Sequence, residues 1–301
     1  MSERSPLTHK TNTRLERSIP SAFLIEEYQK SYGIDVSSYF EGLPFISVHQ
    51  CEDTGFRFYS PSNIDGDSFF YEQLQQFPWY YMSWKWEHEV VKNSLSPQDK
   101  VLEIGSAQGA FVERLKDEGF QATGLELNTK AVAIAKEKGL KVHGETIQQH
   151  ALANEEAYDV VCSFQVMEHI ADTKTVIDAS IAALKKGGKL IISVPNNHSF
   201  IRHSPNSILN MPPHHMCLWD EVSLTNLQKL FPLTLDTLAY EPLQSYHYGV
   251  VWSNGVQSVF KNRMLVKIVN RITTLLQMHK LVALRKSSIV GHSIIATYTK
   301  V

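Results

Sequence analysis

The run from Val101 to Phe111, VLEIGSAQGAF, constrains the fold of this chain more than any other stretch. It begins with four residues typical of a buried strand, turns between Gly105 and Gly109, and predicts a helix from Ala110. Glycine lets the backbone approach a ligand closely, and the first turn of a helix has free N–H groups. The run therefore predicts a nucleotide-binding turn between a strand and a helix.

One acidic residue indicates which kind of ligand fits this turn. Glu103 stands at the end of the strand, two positions before Gly105. A carboxylate there repels the pyrophosphate of a dinucleotide, whereas it attracts a ligand that carries positive charge. The spacing Glu-x-Gly-x-x-x-Gly also differs from the Gly-x-Gly-x-x-Gly pattern of dinucleotide-binding turns. The turn therefore predicts a cofactor with a positive charge.

From Lys100 onwards, strands and helices alternate at the pitch of βαβ units, which predicts an α/β fold with a doubly wound, Rossmann-like sheet of seven strands. The predicted strands lie near residues 100–105, 121–127, 141–144, 158–164, 189–194, 233–240 and 292–299. The predicted helices lie near 79–95, 109–118, 129–138, 173–186, 219–231 and 259–284. A helical insertion over about 242–290 precedes the last strand.

Residues 1–78 differ from this pattern and are predicted to form an N-terminal extension to a domain over residues 79–301. Residues 1 to about 20 are polar and without periodicity, which favours a mobile arm. A short helix is predicted from Phe23 to Gly33, followed by a hairpin of two strands at 45–48 and 56–59. Aromatic residues are frequent between residues 69 and 86.

Cysteine usage and hydropathy predict a cytoplasmic protein. Cys51, Cys162 and Cys217 are odd in number and far apart, which favours a reducing compartment over a disulfide framework. The first seventeen residues contain no apolar run, so no signal peptide is predicted. No apolar stretch approaches the length of a membrane span.

Charge is distributed unevenly along the chain. Residues 242–301 contain eight Lys and Arg and no Asp or Glu, which gives them a net charge of +8. Because the whole chain has a net charge of −2, residues 1–241 carry −10. This pattern is equally consistent with an anionic neighbour for the basic segment and with a helix that packs on residues 1–241. A membrane surface is one interpretation for residues 259–286, and a cover over the active site or the face of a homodimer is the interpretation that we prefer.

Three stretches carry a resemblance to a known family: Glu103–Gly109, Gly124–Asn128 and Ser163–Ile170. They resemble the class I S-adenosylmethionine-dependent methyltransferases, within the broad group of small-molecule O-methyltransferases. The resemblance covers about 80–241 well and 292–300 by topology. It implies a last strand that runs antiparallel. It also implies S-adenosylmethionine, with a cationic ammonium and a cationic sulfonium, as cofactor and S-adenosylhomocysteine as product.

The resemblance also implies the cofactor contacts. They are Glu103, Gly105, Ser106, Ala107 and Gly109 around the methionine part, Glu126 and Leu127 at the ribose, Glu145 and Thr146 at the adenine, and Phe164, Gln165, Tyr81 and Trp86 along the pocket. Glu126 is expected to accept hydrogen bonds from both ribose hydroxyls, a role that suits a carboxylate. The family's middle glycine is Ala107 here, which is still small. For Glu145 and Thr146 a polar loop, and for the aromatic residues a core role, are the alternatives.

Methyl transfer to a hydroxyl is helped by a base that takes the proton, and histidine suits that task near neutral pH. The candidates are His169, His198, His214 and His215. A packing role is the alternative for His169, since histidine in such a turn is often bonded to the backbone. A histidine metal site over residues 198–215 lacks a carboxylate or cysteine partner at good spacing, so no metal is predicted there.

The flanks are similar to methyltransferases tied to bacterial surface polysaccharides and sugars. The similar residues are Cys51-x-x-Thr54-Gly55-x-x-Phe58-x-x-Pro61, followed by Phe70-Tyr71 and Trp86-x-His88. Some relatives carry a Cys-x-x-Cys metal site at this hairpin, but Thr54 stands in the second position, so no metal is predicted. The resemblance predicts methylation of a hydroxyl on a sugar, glycan or other small molecule. A quinone- or phenol-type methyltransferase and a non-catalytic cofactor-binding partner protein are the alternatives.

Nucleic acid is not predicted as a partner. The Asn-Pro-Pro-aromatic motif of many base methyltransferases is missing where Ser163, Phe164 and Gln165 stand. The acidic charge of residues 1–241 also disfavours a polyanion.

Overall fold

The structure, a computed structural model, describes residues 3–77, 80, 82–260 and 262–301. Its strands are β1 (Thr13–Pro20), β2 (Phe45–Cys51), β3 (Arg57–Ser60), β4 (Lys100–Ile104), β5 (Gln121–Leu125), β6 (Val142–His143), β7 (Tyr158–Phe164), β8 (Leu184–Pro195), β9 (Cys217–Leu218), β10 (Leu233–Pro242) and β11 (Val290–Lys300). Its α-helices are α1 (Ser21–Tyr32), α2 (Ser68–Leu74), α3 (Trp86–Ser94), α4 (Ala110–Asp117), α5 (Thr129–Glu137), α6 (Ile147–Ala153), α7 (Thr173–Ala183), α8 (Glu221–Asn226), α9 (Tyr248–Val259) and α10 (Arg263–Leu275).

The main sheet has seven strands in the order β10-β11-β8-β7-β4-β5-β6. The five strands from β8 to β6 are parallel, and β11 is antiparallel to both β8 and β10. Neighbouring residues such as Val160 and Val161 belong to different hydrophobic clusters, so the sheet is buried on both faces. The predicted doubly wound α/β fold with an antiparallel last strand is confirmed.

The carboxyl ends of the parallel strands share one edge of this sheet, where open α/β sheets bind their ligands. β4 ends there at Ile104, β7 at Phe164 and β8 at Pro195. Ser293, near the start of β11, pairs with Pro195, so β11 begins at the same edge. The glycine turn and the segments that follow β5, β7 and β8 therefore lie along one edge.

A second sheet, in the order β1-β2-β3-β9, builds the N-terminal extension. The predicted hairpin is confirmed by β2 and β3, and the predicted helix by α1, whose cap Gly33 has φ 68°. The predicted mobile arm is wrong, because Thr13–Pro20 pairs with β2 and Leu7 is fully buried. Most side chains of β1 are exposed at the sheet edge, and an exposed strand lacks the apolar alternation that would have revealed it.

The helix predicted over 259–284 is wrong as a single element. Its place is taken by the end of α9, by α10 and by a 3-10 segment at Met278–Ser288. The side chain of Asn262 accepts hydrogen bonds from the amides of Met264 and Leu265, which starts a new helix. Gln277 follows α10 in the left-handed region at φ 53°, which stops it.

Three further boundaries differ from the sequence prediction. The helix predicted over 79–95 begins at Trp86 in the structure, and residues 78, 79 and 81 lie outside the described residues. The strand predicted over 189–194 is longer, since β8 starts directly after α7 at Leu184. The helix predicted over 219–231 is shorter in the structure, where it consists of α8 and a 3-10 turn at Leu227–Lys229. Helix α6 was not predicted from the sequence.

Among the described residues, no helix is both long and apolar enough to cross a lipid bilayer.

Candidate active site

The glycine turn after β4 requires glycine at both of its ends. Gly105 has φ 74° and Gly109 has φ 79°, which lie in the left-handed region. A Cβ atom on Gly105 would lie 2.4 Å from Cγ2 of Val166, and one on Gly109 would lie 2.7 Å from Cδ1 of Leu140. The turn is closed by the amides of Gly105 and Ser106, which both donate to the carbonyl of Leu125. Its backbone is therefore held in one shape before any ligand binds.

Glu126, directly after β5, ties this turn to the next strand. Its Oε2 accepts the amide of Ala107 at 2.8 Å, and its Oε1 accepts the amides of Leu127 and Asn128, each at 2.8 Å. A carboxylate offers about four acceptor sites, so Oε2 retains room for a further donor. This arrangement suits a ribose hydroxyl, although the bidentate ribose contact stays a prediction.

Glu103 is a buried carboxylate that meets no compensating group among the described residues. It is 5% exposed, and its Oε2 has no hydrogen-bond partner among the described residues. Burial, with the charge of Glu126 adding to it, raises the pKa of Glu103 to about 8. Burying an unpaired carboxylate is unfavourable, and a bound cation would offset that cost. The orphaned Glu103 oxygen beside a rigid glycine turn fits the cationic amino end of S-adenosylmethionine.

The residues predicted to contact the adenine have partners within the protein. Thr146 caps α6, where its hydroxyl accepts the amide of Gln149 at 3.2 Å. Glu145 Oε1 lies 2.7 Å from Nδ1 of His150, whose Nε2 lies 2.7 Å from the hydroxyl of Tyr158. These bonds stabilise the turn after β6, and the adenine contact stays a prediction.

The end of β7 supplies an aromatic wall and a fixed amide. Phe164 packs edge-on against His88 and Phe111, with ring centroids 4.7 and 4.9 Å apart. Gln165 has φ 55°, and its Nε2 donates to the hydroxyls of Ser193 and Ser293 at 3.4 and 3.3 Å.

Trp86 and Tyr81 are the two aromatic residues predicted to close over the cofactor, and the structure describes only Trp86. Trp86 begins α3 and packs, partly buried, against the same hydrophobic cluster as Phe111 and Phe164. This packing agrees with the alternative role of Trp86 as a core residue, and its contact with the cofactor stays a prediction. Tyr81 lies outside the described residues.

Three of the four candidate histidines come together, and one does not. The ring centroids of His169, His214 and His215 lie 4.5–4.8 Å apart. His198 is half-exposed instead, and its Nε2 lies 3.5 Å from Oδ2 of Asp220. Burial lowers the pKa of His169 to about 4 and of His214 to about 3, and it lowers the pKa of His215 strongly. The three rings are therefore neutral at physiological pH and weak as bases.

The same three rings are the group of described residues that could hold a metal ion, since one nitrogen from each lies within 4.8 Å of the others. A metal needs a free nitrogen on each ring. His214 has none, because its Nδ1 lies 2.8 Å from the carbonyl of Leu209 and its Nε2 lies 3.0 Å from the hydroxyl of Tyr80. The rings thus form a hydrogen-bonded cluster here, and the absence of a metal site stays a prediction.

Three buried carboxylates at this edge were not among the predicted site residues. Glu87, Glu168 and Glu241 are each 2% exposed. Glu87 Oε1 and Glu168 Oε2 have no hydrogen-bond partner among the described residues. Burial, with the charge of Glu87 adding to it, raises the pKa of Glu168 to about 8, and burial likewise raises that of Glu87. The pKa of Glu241 is raised by burial, although its Oε2 accepts the amide of Ser293 at 3.0 Å.

These carboxylates come from separate segments. Glu87 lies in the first turn of α3, Glu168 in the loop after β7, and Glu241 near the end of β10. A hydrogen bond from Gln165 to Glu87 and the positive charge of Lys85 near Glu87 and Glu168 oppose the rise of their pKa values. The signal that could have found Glu168 was its place just beyond a strand end, beside a candidate histidine.

The chain is similar to known methyltransferases. A family profile described as "Methyltransferase domain" matches residues 79–238, just over half of the chain. The chain is 32% identical over 105 residues to a ubiquinone biosynthesis O-methyltransferase of Klebsiella pneumoniae (strain 342), which covers 33% of this chain and 43% of that protein. A protein of the same name from Sodalis glossinidius is 33% identical over 104 residues, or 33% and 42% of the two chains. The chain thus spans less than half the length of these curated relatives.

The chain is also similar, at low sequence identity, to proteins of known structure. A SAM-dependent methyltransferase from Archaeoglobus fulgidus is 15% identical, with TM-score 0.47, over 71% of this chain and 94% of that one. A SAM-dependent methyltransferase from Thermotoga maritima, described as a possible histamine N-methyltransferase, is 18% identical, with TM-score 0.49, over 71% and 88%. On the extent of the family match, this chain belongs to the methyltransferase-domain family of S-adenosylmethionine-dependent enzymes.

Proposed function

We propose that this protein transfers the methyl group of S-adenosylmethionine to a hydroxyl of a sugar, a glycan or another small polar metabolite. The observation that carries the proposal is a pair of buried carboxylate oxygens, one on Glu87 and one on Glu168, that have no hydrogen-bond partner among the described residues. Buried polar groups are normally hydrogen-bonded, and an exception calls for a ligand or solvent that completes them. A carboxylate accepts hydrogen bonds, so the acceptor must bring donors.

A polyhydroxyl acceptor brings several such donors at once. A buried acceptor without a partner gains from a donor that completes it, so sugar hydroxyls would bind well at the free oxygens of Glu87 and Glu168. The fixed amide of Gln165 and the carboxylate of Glu241 lie at the same edge and add polar contacts. A flat aromatic acceptor would leave most of these groups unsatisfied.

In the proposed reaction the acceptor oxygen attacks the methyl carbon in line with the sulfur. When bound, S-adenosylmethionine supplies a methyl group on a cationic sulfur, and the bonding electron pair leaves with that sulfur. The glycine turn and Glu103 hold the amino end, which orients the methyl group. Glu168 takes the hydroxyl proton, because burial gives it a pKa of about 8, near the range where a base works best.

In our proposal His169 lies beside the base and is not itself the base. The low pKa of His169 makes it a weak proton acceptor, whereas its ring lies beside Glu168, with Nε2 3.9 Å from Oε1. Its ring donates hydrogen bonds to backbone carbonyls, with Nδ1 against the carbonyl of His214. The acceptor proton therefore has a stronger base in Glu168 than in His169.

A quinone- or phenol-type acceptor is the second candidate, and the names of the two curated relatives favour it. The aromatic wall of Phe164, Phe111 and Trp86 would suit a flat ring. A phenol carries a single hydroxyl, which leaves one of the two unpartnered carboxylates without a donor.

The proposal is tested with methyl-labelled S-adenosylmethionine and an extract of the source cells. The extract is separated into soluble metabolites, lipid-linked glycans, quinones, protein and nucleic acid, and the label in each fraction is counted. We expect label in soluble sugars or glycans, and we expect the Glu87→Gln variant to lose it. Glu155→Gln, at an exposed carboxylate, is the matched control.

The other outcomes distinguish the rivals. Label in the quinone fraction would favour the second candidate. Label in protein or nucleic acid would overturn the substrate assignment. Absence of transfer to every fraction, with cofactor binding intact by calorimetry, would contradict catalysis and favour a binding-only role.

A further inference from the structure

Helix α10 exposes an apolar face that no described residue covers. The side chains on this face are Met264, Leu265, Ile268, Ile272, Leu275 and Leu276. Their exposed fractions run from 47% for Leu265 to 76% for Leu275, which is unusual for such large apolar groups. The opposite side of the helix faces the protein, because Thr273 is buried and its hydroxyl accepts Nε1–H of Trp252 at 2.9 Å.

The exposed residues form one continuous face. At about 100° of rotation per residue, the six apolar side chains fall within an arc of roughly 120°, and Thr273 lies outside it. Lys267 and Arg271 lie together along one border of the arc and are both exposed. We call this surface, the six apolar residues with Lys267 and Arg271, the α10 face.

The charge around the α10 face is of one sign. Residues 242–301 contain no Asp or Glu, and the 3-10 segment after α10 adds exposed Lys280, Arg285 and Lys286. In the part of the chain that the structure describes, no ion pair joins these three, Lys267 or Arg271 to a carboxylate. These five cations are therefore not neutralised by carboxylates of the described residues, whereas Lys300 in β11 pairs with Glu156.

The insertion that carries this face stands at the ligand-binding edge of the sheet. It leaves the sheet after Pro242 and returns at Val290, and these two residues pair with each other. Val282 and Leu243 pack against Phe200, in the segment that follows β8. The α10 face is thus attached at the edge that holds Glu168 and Glu241.

We propose that the α10 face docks on an anionic lipid surface. An apolar helical face bordered by basic side chains binds a membrane by burying the apolar groups at the headgroup boundary and pairing the cations with acidic lipids. A neutral apolar partner would not explain the excess of cations and the lack of any acidic residue. Docking would bring the ligand-binding edge close to the bilayer, where a lipid-linked acceptor could be reached.

The test is co-sedimentation of the full chain with lipid vesicles, without any acceptor. We expect binding to vesicles of equimolar phosphatidylcholine and phosphatidylglycerol, and weaker binding to phosphatidylcholine alone. Each basic side chain near an anionic surface contributes roughly a factor of five, so Lys267→Gln with Arg271→Gln should weaken partitioning roughly 25-fold. Ile268→Ser with Ile272→Ser should remove sedimentation.

Matched controls change the same chemistry elsewhere on the surface. Lys186→Gln with Lys229→Gln removes two exposed charges, and Leu15→Ser with Leu152→Ser removes two exposed apolar side chains. Both pairs should bind vesicles like the unmodified protein. Circular dichroism checks that every variant is folded.

Three results would overturn the proposal. One is no sedimentation of the unmodified protein with the acidic vesicles. The second is equal loss in the control and the α10-face variants. The third is a dimer in light scattering that Ile268→Ser with Ile272→Ser converts to monomer, which would assign the face to a second copy. Because the assay needs no methyl transfer, its failure would leave the proposed function unchanged.

Discussion

The two halves of the ligand-binding edge are built in different ways. On the cofactor side, Glu126 contacts backbone amides close to it in the chain or on the adjoining turn, at Ala107, Leu127 and Asn128. On the proposed acceptor side, Glu87, Glu168 and Glu241 come from three distant segments, and Glu87 and Glu168 each keep one oxygen without a partner among the described residues. The turn on the cofactor side is therefore preorganised by backbone geometry, with the orphaned oxygen of Glu103 beside it, whereas the proposed acceptor side depends on two such oxygens from segments far apart in the chain.

The largest effect is expected on the acceptor side. Glu168→Gln keeps the shape but removes the base, so we expect kcat/KM to fall by about 10²-fold or more. Because the pKa of Glu168 is about 8 and the ionised form is the base, kcat/KM of the unmodified enzyme should rise with pH up to about 8. The variant should lack this rise. A pH–rate profile measures both.

His169→Gln is the comparison that assigns the base. If Glu168 takes the proton, the rise of kcat/KM towards pH 8 persists in the His169 variant. Unchanged cofactor affinity in both variants, measured by calorimetry, shows that the fold is intact. A full rate for Glu168→Gln would place the base elsewhere.

A smaller effect concerns the pH dependence of stability on the cofactor side. Burial holds the pKa of Glu103 at about 8 in the folded protein, above the ordinary value of 4.5. The folded state then binds more protons than the unfolded state, so stability is full below pH 4.5 and is lost as pH rises towards 8. Glu103→Gln removes this loss. We expect the Tm of the variant minus that of the unmodified protein to grow between pH 5 and pH 8.

Differential scanning fluorimetry without ligand measures this difference, and Glu155→Gln is the exposed control. Parallel Tm curves for Glu103→Gln and the unmodified protein would show that the buried carboxyl titrates normally. S-adenosylhomocysteine carries an ammonium group, so it should stabilise the unmodified protein more as pH rises, and it should stabilise the variant less.

The smallest effect is expected at Glu126. Glu126→Ala should weaken S-adenosylhomocysteine binding by about 1–3 kcal/mol, as for the loss of a hydrogen bond to a charged group. The change also frees the amides of Ala107 and Leu127, so part of the loss is a looser turn. Glu126→Gln keeps one carbonyl acceptor and should lose less. Equal calorimetric affinity for all three proteins would remove the ribose assignment.

The cofactor side could be predicted because its signals are local. The order of strand, Gly105, Gly109 and helix lies within eleven residues, and both glycines have the positive φ that only a turn requires. The main sheet was likewise predictable from periodicity, because its central strands, such as β4 and β7, are buried on both faces and are strongly apolar. Glu103 was recognisable from its place two residues before the turn.

The predictions that were wrong failed for physical reasons that a sequence pattern does not show. The N-terminal arm became β1 because an edge strand pairs through its backbone, whatever its side chains. The long helix predicted over 259–284 broke because Asn262 and Gln277 interrupt it, although its apolar spacing continues. The candidate histidines separated into His198 and the other three through packing of distant loops.

The sequence by itself determined the α/β class, the glycine turn, the acidic residues of the cofactor side and the excess of basic residues after Glu241. These follow from periodicity and from residues close together in the chain. Only the tertiary structure decided that Glu87 and Glu168 each keep one oxygen without a partner among the described residues, that His169, His214 and His215 are weak bases and that the α10 face is exposed. A side chain loses its water only when segments far apart in the chain pack around it. This burial shifts the pKa of the side chain and leaves its polar atoms without water as a partner.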